Sequence, residues 1–423
     1  AGLLFTDCEI ARNGGTGLSL SGAFVRMTIQ NSSVSDNHGE GLSLWGNQDE
    51  QYVINGCSIQ RNTSHGIMGP GPWSDHDLLV SDCVITDNGA CGILDSSGPY
   101  GVFIRTSNIS RNGGDGISYG GYRKTTDTKA PAGLGSIQGC QLFDNGGCGI
   151  RFYGFVLPGL FSIAGNVLFR NAEAGLLFGG SPDAGPAQLE VGSNTIVRNG
   201  GPGIVLNSIM PATITHCIVA FNEGRALDVI SGPLPTLSCS NLFGNLGGDW
   251  TPDIYEQTDL PGNFSADPCF CDLETGALTL SGDSWCLPGR YQWGCAELVG
   301  ALGEGCDGRG CAPVVAVMVS DFVALVTGDG IAVSWRVEGD LDRMELRLLA
   351  SAGALAWEVP FTARTDGTCF ADDRSGLAAL RATSGVALCY ALQMATENGW
   401  TLLSRQEIGG DATSAQSLTL ELA

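Results

Sequence analysis

Apolar and polar positions repeat through the first 248 residues in units of 23 to 33 residues. Each unit has an asparagine, with one apolar residue eight positions before it and another three before it; in the first eight units a glycine lies four positions after it. The repeat asparagines are Asn13, Asn37, Asn62, Asn88, Asn112, Asn145, Asn171, Asn199, Asn222 and Asn245. So short a unit cannot bury its own apolar face, so stacked units must share one core. The pattern predicts an all-β, single-stranded solenoid of about ten coils with parallel strands about 4.8 Å apart.

Leucine-rich repeats have a similar period, but they need several leucines at fixed offsets and usually a helical segment, and neither is visible here. Units such as residues 83–93, with the sequence Cys-Val-Ile-Thr-Asp-Asn-Gly-Ala-Cys-Gly-Ile, resemble the right-handed parallel β-helix repeats of pectate-lyase-like proteins. The resemblance covers residues 1–248 and implies that fold. It says little about activity, because this family ranges from polysaccharide lyases and hydrolases to proteins without known catalysis.

The turns of the repeat give two further predictions. Asparagine and glycine tolerate tight or left-handed backbone, so we expect the repeat asparagine and the repeat glycine at those positions. The residue before each asparagine alternates in charge through seven coils, in the order Arg12, Asp36, Arg61, Asp87, Arg111, Asp144 and Arg170. In register, these side chains form a ladder of opposite charges, with exposed pairs worth about 0 to 1 kcal/mol each.

Five cysteines lie five residues before a repeat asparagine, where small inward-facing side chains are expected. Parallel Cβ atoms about 4.8 Å apart are slightly too distant for a relaxed disulfide. We therefore predict buried thiols at Cys8, Cys57, Cys83, Cys140 and Cys217. Cys91 and Cys148 lie two coils apart and should not bond each other.

A second group of cysteines lies in the turn-rich segment 249–312, at Cys269, Cys271, Cys286, Cys295, Cys306 and Cys311. The runs 263–271 (Asn-Phe-Ser-Ala-Asp-Pro-Cys-Phe-Cys), 284–286 (Ser-Trp-Cys) and 298–306 resemble the closing segment of many secreted bacterial β-helix proteins. This resemblance implies a disulfide-stapled C-terminal cap and an oxidising compartment. A zinc site is the rival interpretation, but the segment has no histidine and lacks the paired short spacings of a zinc ribbon.

Residues 313–423 lack the asparagine repeat and contain strand-like runs. Trp335 in Val-Ser-Trp-Arg-Val and Tyr390 in Cys-Tyr-Ala-Leu resemble the core tryptophan and late-strand tyrosine of fibronectin type III-like sandwiches. The resemblance implies a small β-sandwich that spaces, docks or anchors its neighbour. The predicted domains are therefore the β-helix (1–248), its Cys-rich cap (249–312) and a fibronectin type III/Ig-like sandwich (313–423).

Composition narrows the partners and the location. The 63 glycines and only 15% charged residues favour a turn-dense β protein. The formal net charge of −23 argues against nucleic acid and anionic membrane surfaces as partners. No stretch is long and apolar enough for a transmembrane segment, and the chain opens without methionine, which suggests a mature or excised fragment of a secreted or cell-surface protein.

Coil length varies mainly between the strand after the repeat glycine and the first strand of the next coil, so the longer loops should form a wall along one edge. Aromatic side chains stack on sugar rings, while carboxylates and basic groups do acid–base work or hold calcium. The expected substrate-binding residues are Trp45, Trp73, His76, Tyr100, Tyr119, Tyr122 and Tyr153. The expected catalytic residues are Asp75, Asp77, Asp95, Arg105, Arg123 and Lys124.

These residues suit two reactions on a polysaccharide or cell-surface glycan. A polyuronate lyase needs a group that neutralises the sugar carboxylate and a base, whereas a glycoside hydrolase needs two carboxylates about 5 to 9.5 Å apart. Neither family's catalytic signature is present, so no catalytic residue follows from resemblance. The competing prediction is a non-catalytic structural or adhesive surface protein with the β-helix as a rigid rod. Calcium is the only cofactor that these residues suggest, and the sequence does not reveal the oligomeric state.

Overall fold

The computed structural model divides into two compact units, Ala1–Cys311 and Ala312–Ala423. The residues that it describes are 2–21, 26–45, 48–69, 75–96, 101–121, 135–154, 159–179, 187–208, 210–258, 260, 262–290, 295–307, 318–326, 330–338, 346–352, 355–364, 368–375, 388–396 and 399–408.

The first unit is a parallel β-solenoid of about ten coils with three sheets, which confirms the fold class predicted from the repeat. Sheet A contains Gly2–Thr6, Arg26–Gln30, Gln48–Asn55, Asp75–Ser81, Val102–Arg105, Gly135–Gln138, Gly159–Ala164, Ala187–Gly192, Ala212–Thr215 and Thr236–Ser238. Sheet B contains Glu9–Ala11, Ser33–Ser35, Ser58–Gln60, Val84–Thr86, Asn108–Ser110, Gln141–Phe143, Val167–Phe169, Thr195–Val197, Ile218–Ala220 and Asn241–Phe243. Sheet C contains Leu18–Ser21, Leu42–Trp45, Ile67–Met68, Ile93–Asp95, Ile117–Gly121, Ile150–Gly154, Leu176–Gly179, Ile204–Asn207 and Leu227–Ser231.

The core of the solenoid consists of apolar columns that run through successive coils. Both columns predicted from the repeat point inward, one from sheet A and one from sheet B, and the residue after each repeat glycine adds a third from sheet C. Examples from the middle coils are Ile54, Val80 and Ile104 in sheet A, Ile59, Ile85 and Ile109 in sheet B, and Ile67, Ile93 and Ile117 in sheet C. Stacking removes these side chains from water, which is the main stabilisation of such a repeat.

From Asn37 to Asn245 the repeat asparagines form a buried ladder of side-chain amides. Asn88, for example, donates from Nδ2 to Oδ1 of Asn112 in the next coil at 3.0 Å, and to the carbonyl oxygen of Ile59 in the preceding coil at 3.1 Å. At the end of the ladder, Asn245 donates to Oδ1 of Asp249 at 2.6 Å. Burial raises the pKa of Asp249, against the hydrogen bonds that it accepts. Because every rung satisfies buried polar groups, the ladder fixes which coils stack.

The left-handed backbone lies one residue earlier than predicted. The residue before the repeat asparagine has φ between 51° and 59° in nine coils, at Arg12, Asp36, Arg61, Asp87, Arg111, Asp144, Arg170, Arg198 and Phe221. The repeat asparagines and repeat glycines are not among the positive-φ residues, so they do not take the left-handed positions. The asparagine is needed for its amide, which the ladder uses, and not for its tolerance of left-handed backbone.

The repeat glycine is required by the close approach of neighbouring coils. A methyl group added at Gly116 would lie 2.6 Å from the carbonyl oxygen of Gly149 and 2.9 Å from Nδ2 of Asn145. Real Cβ atoms do not come this close to backbone oxygens, so only glycine fits.

The predicted charge ladder is present. Each arginine of a pair donates two hydrogen bonds to the aspartate of the preceding coil, at distances between 2.8 and 3.1 Å, in the pairs Arg61–Asp36, Arg111–Asp87 and Arg170–Asp144. The hydrogen bond from the guanidinium lowers the pKa of both Asp36 and Asp87. These pairs are substantially exposed, so each adds little stability.

The five repeat-column cysteines are thiols, as predicted, with Cys8 half-buried and the other four buried. Cys91 and Cys148 are also thiols. Side chains at this repeat position also accept hydrogen bonds from main-chain N–H groups of the preceding coil. The main-chain N–H of Cys83 donates to Oγ of Ser107 at 3.1 Å, and the main-chain N–H of Cys140 donates to Oδ1 of Asn166 at 2.9 Å.

Residues 249–306 close the solenoid in two ways. Trp250 and Ile254, which precedes the short 3-10 helix Tyr255–Gln257, pack against the end of the core. The remainder lies along the outer face of sheet B, where Leu278 packs against Val197. It includes sheet D, formed by Phe270–Asp272, Ala277–Ser281 and Glu304–Cys306. The segment is therefore also a lateral cover of the later coils.

Two disulfides in this region are Cys239–Cys295 and Cys271–Cys306. Cys239 belongs to the last coil, so the first bond ties the repeat to its cover. Cys269 is also disulfide-bonded, whereas Cys286 is a buried thiol. One disulfide therefore uses Cys239 of the repeat, which the spacing of the cysteines in residues 249–312 did not indicate.

The second unit contains two four-stranded antiparallel sheets. Sheet E contains, in spatial order, Met318–Val326, Ile331–Glu338, Thr368–Asp373 and Thr362–Ala363. Sheet F contains Leu355–Val359, Leu346–Ala352, Leu388–Thr396 and Gly399–Ile408. Buried side chains from both sheets form one core that includes Trp335 and Tyr390. The hydroxyl group of Tyr390 donates to Oδ2 of Asp373 at 2.8 Å, which satisfies a polar atom in that core.

Candidate functional site

The outer face of sheet C leads directly into the loops of variable length. Every described strand of sheet C is followed by the connection to the next strand of sheet A. Trp45 ends its strand in coil 2 and is 48% exposed. Its indole nitrogen donates to Oγ of Ser43, the preceding outward residue, at 2.7 Å. This bond holds the ring at the edge of the outer face.

Tyr153 occupies the same position of coil 6, four residues after the repeat glycine, and is 43% exposed. A methyl group added at Gly120, its partner in the preceding coil, would lie 2.2 Å from the tyrosine ring. The glycine therefore leaves the space that the ring occupies. The outcome is an aromatic platform that rests on the backbone of the sheet.

An ionic cluster lies beside this platform and draws on three consecutive coils. Arg151 points outward from sheet C and donates from Nε to Oδ2 of Asp115 at 2.8 Å and from Nη2 to Oε2 of Glu173. Asp115 also accepts the main-chain N–H of Cys148 at 2.8 Å. Asp115 is only 8% exposed, whereas Glu173 is open to solvent. The arginine therefore links a buried carboxylate to an accessible one.

Burial and charge set the protonation of this cluster. Burial by itself would lower the pKa of Arg151, but hydrogen bonds and charge from Asp115 and Glu173 raise it, so the guanidinium stays charged. Burial raises the pKa of the Cys148 thiol to about 12. Burial, followed by nearby negative charge, also raises the pKa of Tyr153. The cluster therefore offers a charged guanidinium and neutral thiol and phenol donors.

Ligand atoms of Asp115, Cys148 and Glu173 lie within 4.8 Å of one another, which is a spacing that a metal ion could use. The guanidinium of Arg151 already pairs with both carboxylates, so a cation would have to displace it. Calcium prefers six to eight oxygen ligands, and a buried protonated thiol does not supply one. This donor set therefore does not fit calcium.

Two residues expected in the loop wall face the core instead. Asp95 lies within the strand Ile93–Asp95, is 1% exposed and sits against Gly69 of the preceding coil. Tyr119 packs edge-on against Phe152, with ring centroids 5.4 Å apart, and burial raises its pKa. Both occupy the third position after the repeat glycine, where Leu44, Phe152 and Phe178 of other coils are also buried. This placement removes them from a surface that a polymer could reach.

Other predicted residues lie on sheet A. Asp75, His76 and Asp77 begin the strand Asp75–Ser81, and Asp77 accepts the main-chain N–H of Gly101 at 3.1 Å. Arg105 ends the strand Val102–Arg105 and is exposed. Five further predicted residues, Trp73, Tyr100, Tyr122, Arg123 and Lys124, lie outside the described residues.

The structure brings Tyr153 together with three residues that the sequence had not singled out for a site. Asp115, Arg151 and Glu173 carried no motif that pointed to a site. A signal was available, since Asp115 and Cys148 both immediately precede a repeat glycine and must therefore stack. Arg151 lies two residues after the repeat glycine, on the outward side of the same strand.

Comparison with known proteins identifies the family of the first unit. Residues 1–130 and 74–251 match the model of the family described as right handed beta helix region. Together these segments span residues 1–251, more than half of the chain, so the chain belongs to this family. The match agrees with the right-handed parallel β-helix that the resemblance implied. No curated protein matches the chain.

Two crystal structures are similar in fold. One is a double mutant of a periplasmic alginate epimerase, with a TM-score of 0.40 and 14% identity, covering 51% of this chain and 50% of that chain. The other is a pectate lyase, with a TM-score of 0.44 and 12% identity, covering 70% of this chain and 88% of that chain. The chain spans about half the length of the epimerase. In the part of the chain that the structure describes, no helix is long and apolar enough to cross a membrane.

Proposed function

We propose that the solenoid binds an extended extracellular polysaccharide along the outer face of sheet C and the loops that follow it. The observation that carries the proposal is the pair of exposed aromatic side chains, Trp45 and Tyr153, at the same position of coils 2 and 6. Four coil spacings separate these coils by about 19 Å along the stacking direction. Two aromatic faces in line at this distance suit a polymer of sugar rings rather than a single small ligand.

The ionic cluster supplies the polar contacts of the proposed site. Arg151 can donate to sugar hydroxyl or carboxylate oxygens, and Glu173 can accept from hydroxyl groups without rearrangement, because both reach the surface. Oxygen atoms of Asp115 and Glu173 lie within 4.8 Å of each other. A glycoside hydrolase needs carboxylates about 5 to 9.5 Å apart, so this pair is too close and Asp75 and Asp77 remain the candidates for hydrolysis. For a polyuronate lyase, Arg105, Arg123 and Lys124 remain the candidates for the base.

A binding titration with single variants tests the proposed site. The whole chain is titrated with a panel of neutral and acidic polysaccharides. Trp45→Ala and Tyr153→Ala should each weaken binding of the best ligand about threefold to tenfold, because each removes one aromatic stacking contact. Tyr255→Ala is the matched control, since Tyr255 is 48% exposed on the 3-10 helix and lies outside sheet C. Equal weakening by the control, or no binding to any polymer, would reject the proposed surface.

Catalysis needs a separate assay on the same panel. Ultraviolet absorbance reports the unsaturated product of a lyase, and new reducing ends without that absorbance report a hydrolase. Each polymer is incubated with and without added calcium. If hydrolysis is found, Asp77→Asn should abolish it while leaving binding within a few fold. Binding without either product would restrict the proposal to recognition.

A specific observation favours the second candidate function, a non-catalytic structural or adhesive protein. The charged side chains of the ladder and of the Arg151 cluster are paired with each other rather than converging on a cleft. Self-paired charges suit a rigid rod. This candidate predicts that neither assay detects a product. It also predicts unchanged ligand binding in Trp45→Ala, Tyr153→Ala and Tyr255→Ala.

We also propose that the chain works outside the cytoplasm and that its second unit is a fibronectin type III-like sandwich. The disulfides Cys239–Cys295 and Cys271–Cys306 support an oxidising compartment. The shared core of sheets E and F, with buried Trp335 and Tyr390, supports the sandwich. Such a unit would space or anchor the solenoid at a cell surface.

A further inference from the structure

One of the two described disulfides lies beside a histidine. The Sγ atoms of Cys239 and Cys295 and a ring nitrogen of His216 lie within 4.8 Å of one another. Thiolate and imidazole are the ligands that zinc prefers in its tetrahedral protein sites. In the described part of the chain, no third ligand atom groups in this way with the other disulfide, Cys271–Cys306. The first disulfide therefore has the composition of a zinc site, and the second does not.

The repeat holds two of these three residues in place. His216 and Cys239 each follow a strand of sheet A, Ala212–Thr215 and Thr236–Ser238, so they occupy the same turn of coils 9 and 10. Both have left-handed backbone, with φ of 53° and 49°. The main-chain N–H of His216 donates to the carbonyl oxygen of Ser238 at 3.2 Å. The register of the coils therefore sets the imidazole beside the sulfur, whatever the oxidation state of that sulfur.

The segment that covers the later coils supplies the third residue and a carboxylate. Cys295 is only 5% exposed, whereas the imidazole of His216 is partly open to solvent. Oε2 of Glu297 lies 3.8 Å from Nε2 of His216, and this exposed side chain can turn toward a bound ion as its fourth ligand. The sequence argued against zinc because residues 249–312 contain no histidine. That objection does not apply here, since the repeat contributes the histidine.

We propose that the reduced chain binds one zinc ion through Cys239, Cys295 and His216, in place of the disulfide. A dithiol reductant breaks the S–S bond by exchange, which leaves two thiols on the protein and converts the dithiol to its own disulfide. Zinc then binds both sulfurs as thiolates, and two protons are released. An external disulfide, which accepts the two electrons and becomes two thiols, restores the bond and releases the ion. The last coils and their cover are therefore joined in both states, covalently or through the metal.

Titration of the full chain with Co²⁺, a spectroscopic substitute for zinc, tests the proposal. The chain is reduced with a dithiol, freed of the reductant and titrated without oxygen. Tetrahedral coordination by two thiolates should give near-ultraviolet charge-transfer absorption and strong visible bands that saturate at one ion per chain. Zinc should remove both signals, and the oxidised chain should give neither. A reduced chain without these bands, or an oxidised chain with them, would overturn the proposal.

Matched variants locate the ion. Cys295→Ser should lose the charge-transfer signal, whereas Cys306→Ser, which breaks the other disulfide, should keep it. His216→Asn should weaken Co²⁺ binding at least about tenfold, because it removes the imidazole ligand. Asparagine suits the left-handed turn, since Asn31 occupies the same turn of coil 2 with φ of 52°. A signal that survives in Cys295→Ser would assign the ion to other thiols and contradict the proposed site.

Hydrogen exchange of the reduced chain gives a second readout that does not depend on absorbance. Zinc should slow exchange in residues 295–300 of the wild-type chain, because the ion ties this part of the cover to the last coils. The same addition should leave exchange in these residues of Cys295→Ser unchanged. Slowing in both proteins, or in neither, would reject a zinc site at this disulfide.

Discussion

At the turns before six of the repeat asparagines, paired side chains of opposite charge sit on a backbone conformation that ordinary residues avoid. Arg111 has φ of 52° and Asp87 has φ of 59°, and the two are joined by hydrogen bonds of 2.8 and 2.9 Å. Left-handed backbone costs roughly 1 kcal/mol for a residue other than glycine. The exposed ion pair offsets only part of that cost, so the fold imposes the turn and the pair adapts to it.

The pH dependence of one pair can be predicted with its sign. The hydrogen bond from Arg111 lowers the pKa of Asp87 below its ordinary value of 3.8. The stability from this pair is therefore present above pH 3.8 and is lost as the pH falls through the lower, folded-state pKa. Asp87→Asn should reduce the free energy of unfolding by at most about 1 kcal/mol at neutral pH, given the exposure of the pair.

Urea unfolding of wild type and Asp87→Asn at neutral pH and well below pH 3.8 measures this effect. The difference between the two proteins should vanish in acid. Asp253→Asn, which alters an exposed carboxylate, is the control and should show no difference at either pH. A difference for Asp87→Asn that persists in acid would mean that packing, not charge, stabilises the turn.

Some residue-level features could not be predicted from the sequence. Arg111 carries no sign of left-handed backbone, because the constraint comes from the path of the coil and not from the side chain. Asp95 was assigned to a loop because it is charged, yet its strand continues one residue further and turns it inward. Polarity is a weak guide to direction at the end of a strand.

At the scale of the coil, the repeat glycine sets the distance between neighbouring coils. Gly116→Ala should lower the free energy of unfolding by about 1 to 3 kcal/mol, because the methyl group would be forced against a carbonyl oxygen and an amide of the next coil. Gly15→Ala is the matched control, since a methyl group there would meet nothing within 4 Å. Urea unfolding of both variants measures the effect. Equal stability of the two would show that the coils can separate without cost.

The repeat predicted the strands and their core columns because one coil's spacing repeats in the next. The lateral cover on sheet B was not predicted, although a signal exists. The outward positions of sheet B are polar in the early coils, as at Ser58, and become apolar at Val197 and Ile218. Apolar residues on both faces of a strand indicate that something covers the outer face, which here is the segment containing Leu278.

At the scale of the molecule, the solenoid was predictable and the candidate site was not. The fold follows from a spacing of apolar and asparagine positions that recurs in ten successive units. The Arg151 cluster instead combines Asp115, Cys148 and Glu173 from three coils of different length, so only the register brings them together. The aromatic pair of the proposed function arises in the same way, from equal positions in distant coils.

The most direct test of the proposed function is hydrogen exchange of the full chain with and without its best polysaccharide ligand. If the polymer lies along sheet C, exchange should slow in the strands Leu42–Trp45 and Ile150–Gly154. Exchange should stay unchanged in Val84–Thr86, a strand of sheet B in the same part of the solenoid. Slowing confined to sheet B or to the second unit would contradict a polysaccharide-binding surface on sheet C.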